Sequence, residues 1–180
     1  MELYVKPLEG RGADGNKERV LSPEEHRRIF TNVGAIFQLH KDHLLPALEE
    51  ACIETAPEEH GLKGRIGRAF LQFAPFLKLY GIYATSFEAS AKLIERYESD
   101  KVDGNGAKLN RASVRRYKEV VARARRDTRH TQLNLQAWML LPLQRLMRYP
   151  LLLKNLLEVT VDGHPDEFEL EKALTEVEKR

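Results

Sequence analysis

Gln144, Arg145 and Arg148 are the side chains of this chain best placed to do chemistry, and the chemistry they suit is recognition. An amide and two guanidinium groups offer hydrogen-bond donors and positive charge to a partner, but none of them is a nucleophile. Bond-making chemistry finds little support elsewhere. A serine or cysteine nucleophile needs an organised base and oxyanion donors, and neither the single cysteine, Cys52, nor any serine stands in a recognisable elbow. No glycine-rich phosphate cradle is present. Asp103, Gly104, Asn105 and Gly106 loosely match a calcium loop, yet counting from Asp103 puts Ala107 and Val114 where oxygen ligands are required, so the segment is read as a plain turn. His40 and His43 share a helix face without a third ligand at a suitable spacing, and are read as structural or surface histidines. The sequence calls for no metal and no cofactor.

Gln144, Arg145 and Arg148 lie within Trp138 to Leu157, WMLLPLQRLMRYPLLLKNLL. Together with Lys154 and Asn155 they make this apolar stretch too costly for bilayer insertion. It reads instead as a buried helix with one polar stripe. At about 100° per residue, Leu141, Gln144, Arg145, Arg148 and Asn155 fall on one face, and Trp138, Met139, Leu146, Tyr149, Leu153, Leu156 and Leu157 on the other. The stripe is either the polar face that any amphipathic helix needs, in which one apolar residue is common, or, with Leu141 beside a glutamine and arginines, the core of a protein interface. Pro142 and Pro150 each remove a backbone donor and crowd the carbonyl four residues earlier, so the helix either bends or divides in two.

The run Leu141, Pro142, Leu143, Gln144, Arg145, Leu146, Met147, Arg148, Tyr149, Pro150, Leu151, Leu152, Leu153 resembles the signature helix of the Dbl homology domain, the family of guanine nucleotide exchange factors for Rho GTPases. Leu21 to Cys52 is similar to the family's second helix, and Arg65 to Tyr97 to the pair that follows. His164, Pro165 and Asp166 resemble the start of its last long helix. Met1 to Leu8 matches the end of the first helix. The resemblance therefore implies one domain over residues 1–180, an elongated all-α multi-helix bundle truncated at both ends, lacking most of the first helix with its glutamate and the end of the last.

It also implies an activity without covalent chemistry, the stabilisation of a Rho-family small GTPase in its nucleotide-free state so that GDP leaves and GTP loads. By position, Gln144 and Arg148 would contact the GTPase switch region, with Leu141 and Leu143 giving apolar contact and Arg145 beside them; many family members carry lysine where this chain has Leu141. Arg123, Arg125, Arg126 and Arg129 stand where family members acting on Rho place basic residues against acids that distinguish Rho from Rac. A pleckstrin homology domain would follow downstream in the parent protein.

Composition agrees with a single globular domain: 42% of residues are hydrophobic and 31% charged. One cysteine excludes an internal disulfide framework, and no signal-peptide pattern opens the chain, so the expected setting is cytoplasmic, with recruitment to a membrane through the parent protein. The net charge of +2 is too small to imply nucleic acid as partner. The charge is unevenly placed. Lys108, Arg111, Arg115, Arg116, Lys118, Arg123, Arg125, Arg126 and Arg129 stand against only Glu119 and Asp127 between Lys108 and His130. This segment is either a solvated helix face or a surface for acidic groups, including an anionic membrane. With Tyr117 alone interleaved, base stacking has little support. A helical scaffold or membrane-associated module using this basic face is accordingly the alternative function.

Helical spacing dominates, with connections at Gly10 to Gly15, Pro57 to Gly64, Asp100 to Gly106 and Val161 to Asp166. Ser22, Pro23, Glu24 and Glu25 combine a hydroxyl cap, a first-turn proline and acids, a helix start. The helix from there is expected to bury Ile29, Phe30, Val33, Phe37, Leu44 and Leu48, with a bend or stop at Pro46. A second apolar run carries Phe70, Phe73, Phe76, Leu77 and Tyr80.

Overall fold

The computed structural model describes residues 2–9, 20–53, 65–99, 109–131 and 133–179. Every regular element among them is helical, as the 3.6-residue periodicity requires. The elements are α1 (Val5–Glu9), α2 (Pro23–Phe30), α3 (Val33–Leu39), a π-helical turn (His40–Leu44), α4 (Leu45–Ile53), α5 (Ile66–Phe73), a 3₁₀ turn (Ala74–Leu77), α6 (Lys78–Ser99), α7 (Arg111–Arg125), α8 (Leu135–Val159) and α9 (Glu167–Glu178). The expected connections at 10–15, 57–64 and 100–106, with the rejected calcium loop, lie outside the described residues.

The chain divides into two compact units. The first comprises residues Met1–Gly34 and Tyr83–Leu141. Its α2 begins as the sequence prescribes. Ser22 Oγ accepts from the Glu25 N–H at 3.1 Å, while Glu25 Oε2 accepts from the Ser22 N–H at 2.9 Å, a reciprocal capping box that satisfies two donors the helix leaves open. Around it, Leu8, Leu21, Ile29, Phe30, Ile94, Tyr97, Tyr117, Val121 and Leu135 form the core. Tyr97 and Tyr83 bury their rings while keeping a partner for the hydroxyl: Tyr97 donates to Glu25 Oε1 at 3.0 Å and Tyr83 to the Met139 carbonyl at 2.7 Å. Ser90, buried in α6, donates to the Arg28 carbonyl at 2.6 Å, satisfying an orphan acceptor at the end of α2.

The second unit comprises Ala35–Ile82 and Pro142–Arg180. Here α5 and α9 pack closely against each other. Gly67 makes this possible, since a Cβ at that position would run into the Leu170 amide nitrogen and the Glu169 carbonyl carbon of α9. Phe70, Phe73, Leu77, Tyr80, Tyr149, Leu153, Leu170, Ala173 and Val177 fill the core.

One expectation from the sequence is corrected, and two further segments gain detail. The helix begun at Pro23 is not continuous, because Thr31 turns to φ 43°, a conformation costly for a β-branched residue, and ends α2. The restart at Val33 shifts the helical phase, so Ile36 and Leu39 are buried while Phe37 is 47% exposed and Val33 and Leu48 are half-buried. Phe76 falls in the 3₁₀ turn around Pro75, whose tighter pitch breaks the 3.6-residue pattern, and is 50% exposed. Of the bend or early stop expected at Pro46, the stop does not occur. The preceding turn widens to π geometry, with the Leu45 N–H reaching the His40 carbonyl, and α4 continues to Ile53.

Candidate functional site

The signature helix is α8, and its start is set by Asn134, whose Oδ1 accepts from the Ala137 N–H at 2.8 Å. Both Pro142 and Pro150 lie inside it. The alternative of two helices is therefore excluded: α8 spans Leu135–Val159 through both prolines. The two-faced pattern is realised. Met139, Tyr149 and Leu153 are buried, whereas Gln144, Arg145, Arg148 and Asn155 are exposed. Leu141 is 36% exposed and Leu143 half-buried.

The sequence reading overlooked three further members of the exposed face. Met147 is 78% exposed, and Leu151 and Leu152 are also open to solvent. Met147 and Leu151 follow Gln144 by one and two helical steps of three or four residues, so they belong to the same stripe. Buried character was the natural assumption for such a leucine-rich run. The wheel already held the signal, since Tyr149 and Leu153 occupy the buried face and residues two positions away must turn outward. The face that results mixes apolar side chains with an amide and guanidinium groups, a composition suited to the centre of a protein interface.

Arg145 differs from its neighbours in being tied to the core beneath it. Its Nε donates to the Tyr149 hydroxyl at 3.3 Å and its guanidinium carbon lies 5.6 Å from the centre of that ring. A helical side chain leans toward the preceding turn, so Tyr149 naturally meets the residue four positions earlier. Tyr149 in turn lies 2.8 Å from Nε2 of His40. His40 also packs edge-on against Phe73, with ring centres 5.1 Å apart. His40 is thus structural and His43 exposed, the two roles anticipated for the pair. Burial pushes the His40 pKa down; the Ile36 carbonyl opposes this, and the positive charge of Arg145 adds to it. Burial also raises the Tyr149 hydroxyl. Among the described residues, no group of three or more His, Cys, Asp or Glu could hold a metal ion.

The four arginines of the basic segment are not equivalent. Arg123 and Arg125 close α7, Arg126 caps it and Arg129 follows in the next turn, all exposed. Arg129 bonds both carboxylate oxygens of Asp127, at 2.9 and 2.8 Å, and Glu2 at 2.9 Å. This pairing holds the Asp127 carboxyl well below the usual carboxylate range. Among the described residues, Arg123, Arg125 and Arg126 make no salt bridge.

Comparison with known proteins settles the family. The family model for the RhoGEF domain matches residues 1–180. The chain belongs to the RhoGEF domain family. Human FYVE, RhoGEF and PH domain-containing protein 2 is 32% identical to this RhoGEF chain over 148 residues, which is 82% of it and 20% of the relative. Mouse FYVE, RhoGEF and PH domain-containing protein 1 is 32% identical over 146 residues, 81% of the chain and 13% of the relative. This RhoGEF chain thus spans a fifth or less of the length of these two relatives. Its fold is shared with the apo structure of an activated truncation of Vav1, at a TM-score of 0.74 and 20% identity over 98% of this chain and 38% of that one. An autoinhibited Dbl homology domain solved by NMR matches at 0.71 and 20% identity, covering 99% and 71%. The all-α bundle expected of the RhoGEF chain is the fold found. No helix among the described residues is long and apolar enough to cross a membrane.

Proposed function

We propose that this chain is a guanine nucleotide exchange domain for a Rho-family small GTPase, with the exposed face of α8 as its docking surface. Residues 1–180 act as one such domain. The observation that carries this reading is the combination, on a RhoGEF fold, of exposed Gln144 and Arg148 with exposed Leu141, Met147 and Leu151 on a helix whose opposite face is locked into the core. Leu143 and Arg145 flank that surface.

Exchange on this face is a population shift and needs no covalent step. Contacts made only with the nucleotide-free GTPase lower its free energy relative to the loaded form. Moving such an equilibrium from 1:99 to 99:1 takes about 5.5 kcal/mol of differential binding, roughly 10⁴-fold. An interface of about 2,000 Å² or more, usual for signalling assemblies, can supply it. Gln144 and Arg148 contribute hydrogen bonds and charge to the switch region, and the apolar members exclude water around them.

The domain works in the cytoplasm and is brought to membranes by the rest of its protein, including a pleckstrin homology domain. A second reading gives the work to the basic end of α7, where Arg123, Arg125 and Arg126 stand open to an acidic partner or an anionic bilayer. Release of a fluorescent guanine nucleotide from several Rho-family GTPases separates the two. Acceleration that disappears in Gln144→Ala/Arg148→Glu supports exchange. Salt-sensitive binding to phosphatidylserine vesicles with no acceleration on any of these GTPases supports the basic face instead.

A further inference from the structure

Arg145 is the member of the α8 face that the core reaches out to hold. Nδ1 of His40 lies 2.8 Å from the Ile36 carbonyl oxygen, which can only accept, so Nδ1 carries the proton. In the neutral ring Nε2 is then an acceptor, and it faces the Tyr149 hydroxyl at 2.8 Å and the Tyr80 hydroxyl at 3.1 Å. Tyr149 is 1% exposed, and of the two hydroxyls that share the one Nε2 lone pair its own is the nearer, which favours its hydrogen as the one donated to His40. That leaves the oxygen's lone pairs for Arg145 Nε–H. The order of donation is Arg145 to Tyr149, Tyr149 to His40, His40 to the Ile36 carbonyl. Phe70 packs edge-on against the Tyr149 ring at 5.2 Å and Phe73 against His40, so neither ring can swing without opening the core.

We propose that His40 and Tyr149 are positioning residues for Arg145, presetting its guanidinium on the α8 face for the GTPase, and that protonation of His40 releases it. This rests on the reading of α8 as the GTPase-docking surface. A free arginine loses rotamer entropy when a partner immobilises it, and one already held loses less; for a single long side chain the difference amounts to about 2- to 10-fold in affinity. Protonated His40 would turn Nε2 into a donor toward Tyr149, leaving the tyrosine's own hydrogen to seek another acceptor in a buried site. It would also set two positive groups on one hydroxyl. The titratable and charged groups facing His40 are Tyr80 from α6 and Tyr149 and Arg145 from α8; α5 contributes Phe73 and α3 the Ile36 carbonyl. Lys41, Asp42 and His43 on its own turn are exposed.

The test pairs a side-chain measurement with a rate measurement. With arginine labelled at Nε, the exchange of the Arg145 Nε–H with water is followed by NMR in the unaltered protein and in Tyr149→Phe, which removes one oxygen and keeps the ring. Slow exchange that accelerates in Tyr149→Phe is expected. Because such exchange is base-catalysed, the comparison is made at each pH: the protection of Arg145 Nε–H in the unaltered protein relative to Tyr149→Phe should disappear as pH falls below the ordinary histidine value of 6.5. An Arg145 equally mobile in both proteins and at both ends of the pH range overturns the proposal.

Nucleotide release from a responsive Rho-family GTPase is then measured, as the ratio of catalysed to uncatalysed rate, for Tyr149→Phe, Arg145→Ala and the double variant. Tyr149→Phe should lower the ratio by about 2- to 10-fold, abolish its decline at low pH, and add nothing to Arg145→Ala, because it acts through that residue. Equal losses in both backgrounds overturn the positioning role. If the unaltered protein accelerates no GTPase, the exchange reading fails, and the proposal falls with it even where the NMR shows Arg145 held. If acceleration is present but Tyr149→Phe leaves it and its pH profile unchanged, only the positioning role fails.

Discussion

The carboxylate of Asp166 accepts a hydrogen bond at 2.8 Å from the backbone N–H of Gly67, a residue 99 positions away. Asp166 is the residue before α9, yet its side chain does not cap that helix. It caps α5, whose own N-cap residue, Arg65, makes no side-chain cap hydrogen bond. A negative group at the positive end of α5 also complements the helix dipole. Gly67 thus serves twice, giving its N–H to Asp166 and its missing side chain to the approach of α9.

Loss of either half of this pair should loosen the second unit. Asp166→Ala leaves buried donors of α5 without an acceptor, at a cost of about 1–3 kcal/mol. Gly67→Ala forces a Cβ into the backbone of α9 and should cost at least as much as ordinary overpacking, about 1–3 kcal/mol. Urea denaturation of both variants checks this. Midpoints within error of the unaltered protein would show that α5 and α9 do not depend on the contact.

Asp166 also predicts a pH dependence. Burial raises its pKa, against the lowering effect of the Gly67 and Arg68 amides. Between the ordinary value of 3.8 and the raised one, the folded protein binds more protons at this site than the unfolded chain. The site's contribution is therefore present at low pH and lost as pH rises through the folded value. Asp166→Asn keeps an acceptor for Gly67 and removes the charge. The stability of the unaltered protein relative to Asp166→Asn should decline as pH is raised above the ordinary value of 3.8 and through the raised one. Parallel curves would show that the carboxyl titrates alike in both states.

The sequence was most legible where local chemistry decides the structure. Ser22 to Glu25 announced a capped helix start, and the spacing from Met139 to Leu153 announced which side of α8 is buried. It was silent where a break lacks its usual marker. Thr31 ends α2 without the glycine that normally signals a stop, so everything counted past it slipped in phase and Phe37 was placed inside. Asp166 could be seen near a helix start, but nothing local says that its partner is Gly67. The same holds for Arg145. Its place on the stripe was plain, but its tie through Tyr149 to His40 depends on three segments meeting.

The basic end of α7 should divide into three active arginines and one structural one. Replacing Arg123, Arg125 and Arg126 together by Ser is expected to slow association with the GTPase and flatten its salt dependence, with a larger effect on Rho than on Rac. Arg129→Ser should change that salt dependence little, because its charge is already matched by Asp127 and Glu2. Stopped-flow association rates across ionic strength test both statements. An Arg129→Ser effect as large as that of the triple variant would mean that its local pairs open on binding.

Surface and core of α8 should separate cleanly. Gln144→Ala with Arg148→Glu alters only exposed positions. Stability should stay within about 0.5 kcal/mol of the unaltered protein, while nucleotide release loses its acceleration. Leu153→Ala empties a site that is 1% exposed on the opposite face. A buried leucine truncated to alanine typically costs about 2–5 kcal/mol, so this variant should melt early while its folded fraction still accelerates release. Thermal unfolding and exchange rates measured on the same preparations decide the matter. If the Gln144/Arg148 variant melts as early as Leu153→Ala and loses activity only in proportion to its unfolded fraction, those two side chains hold the helix in place, and the GTPase docks elsewhere.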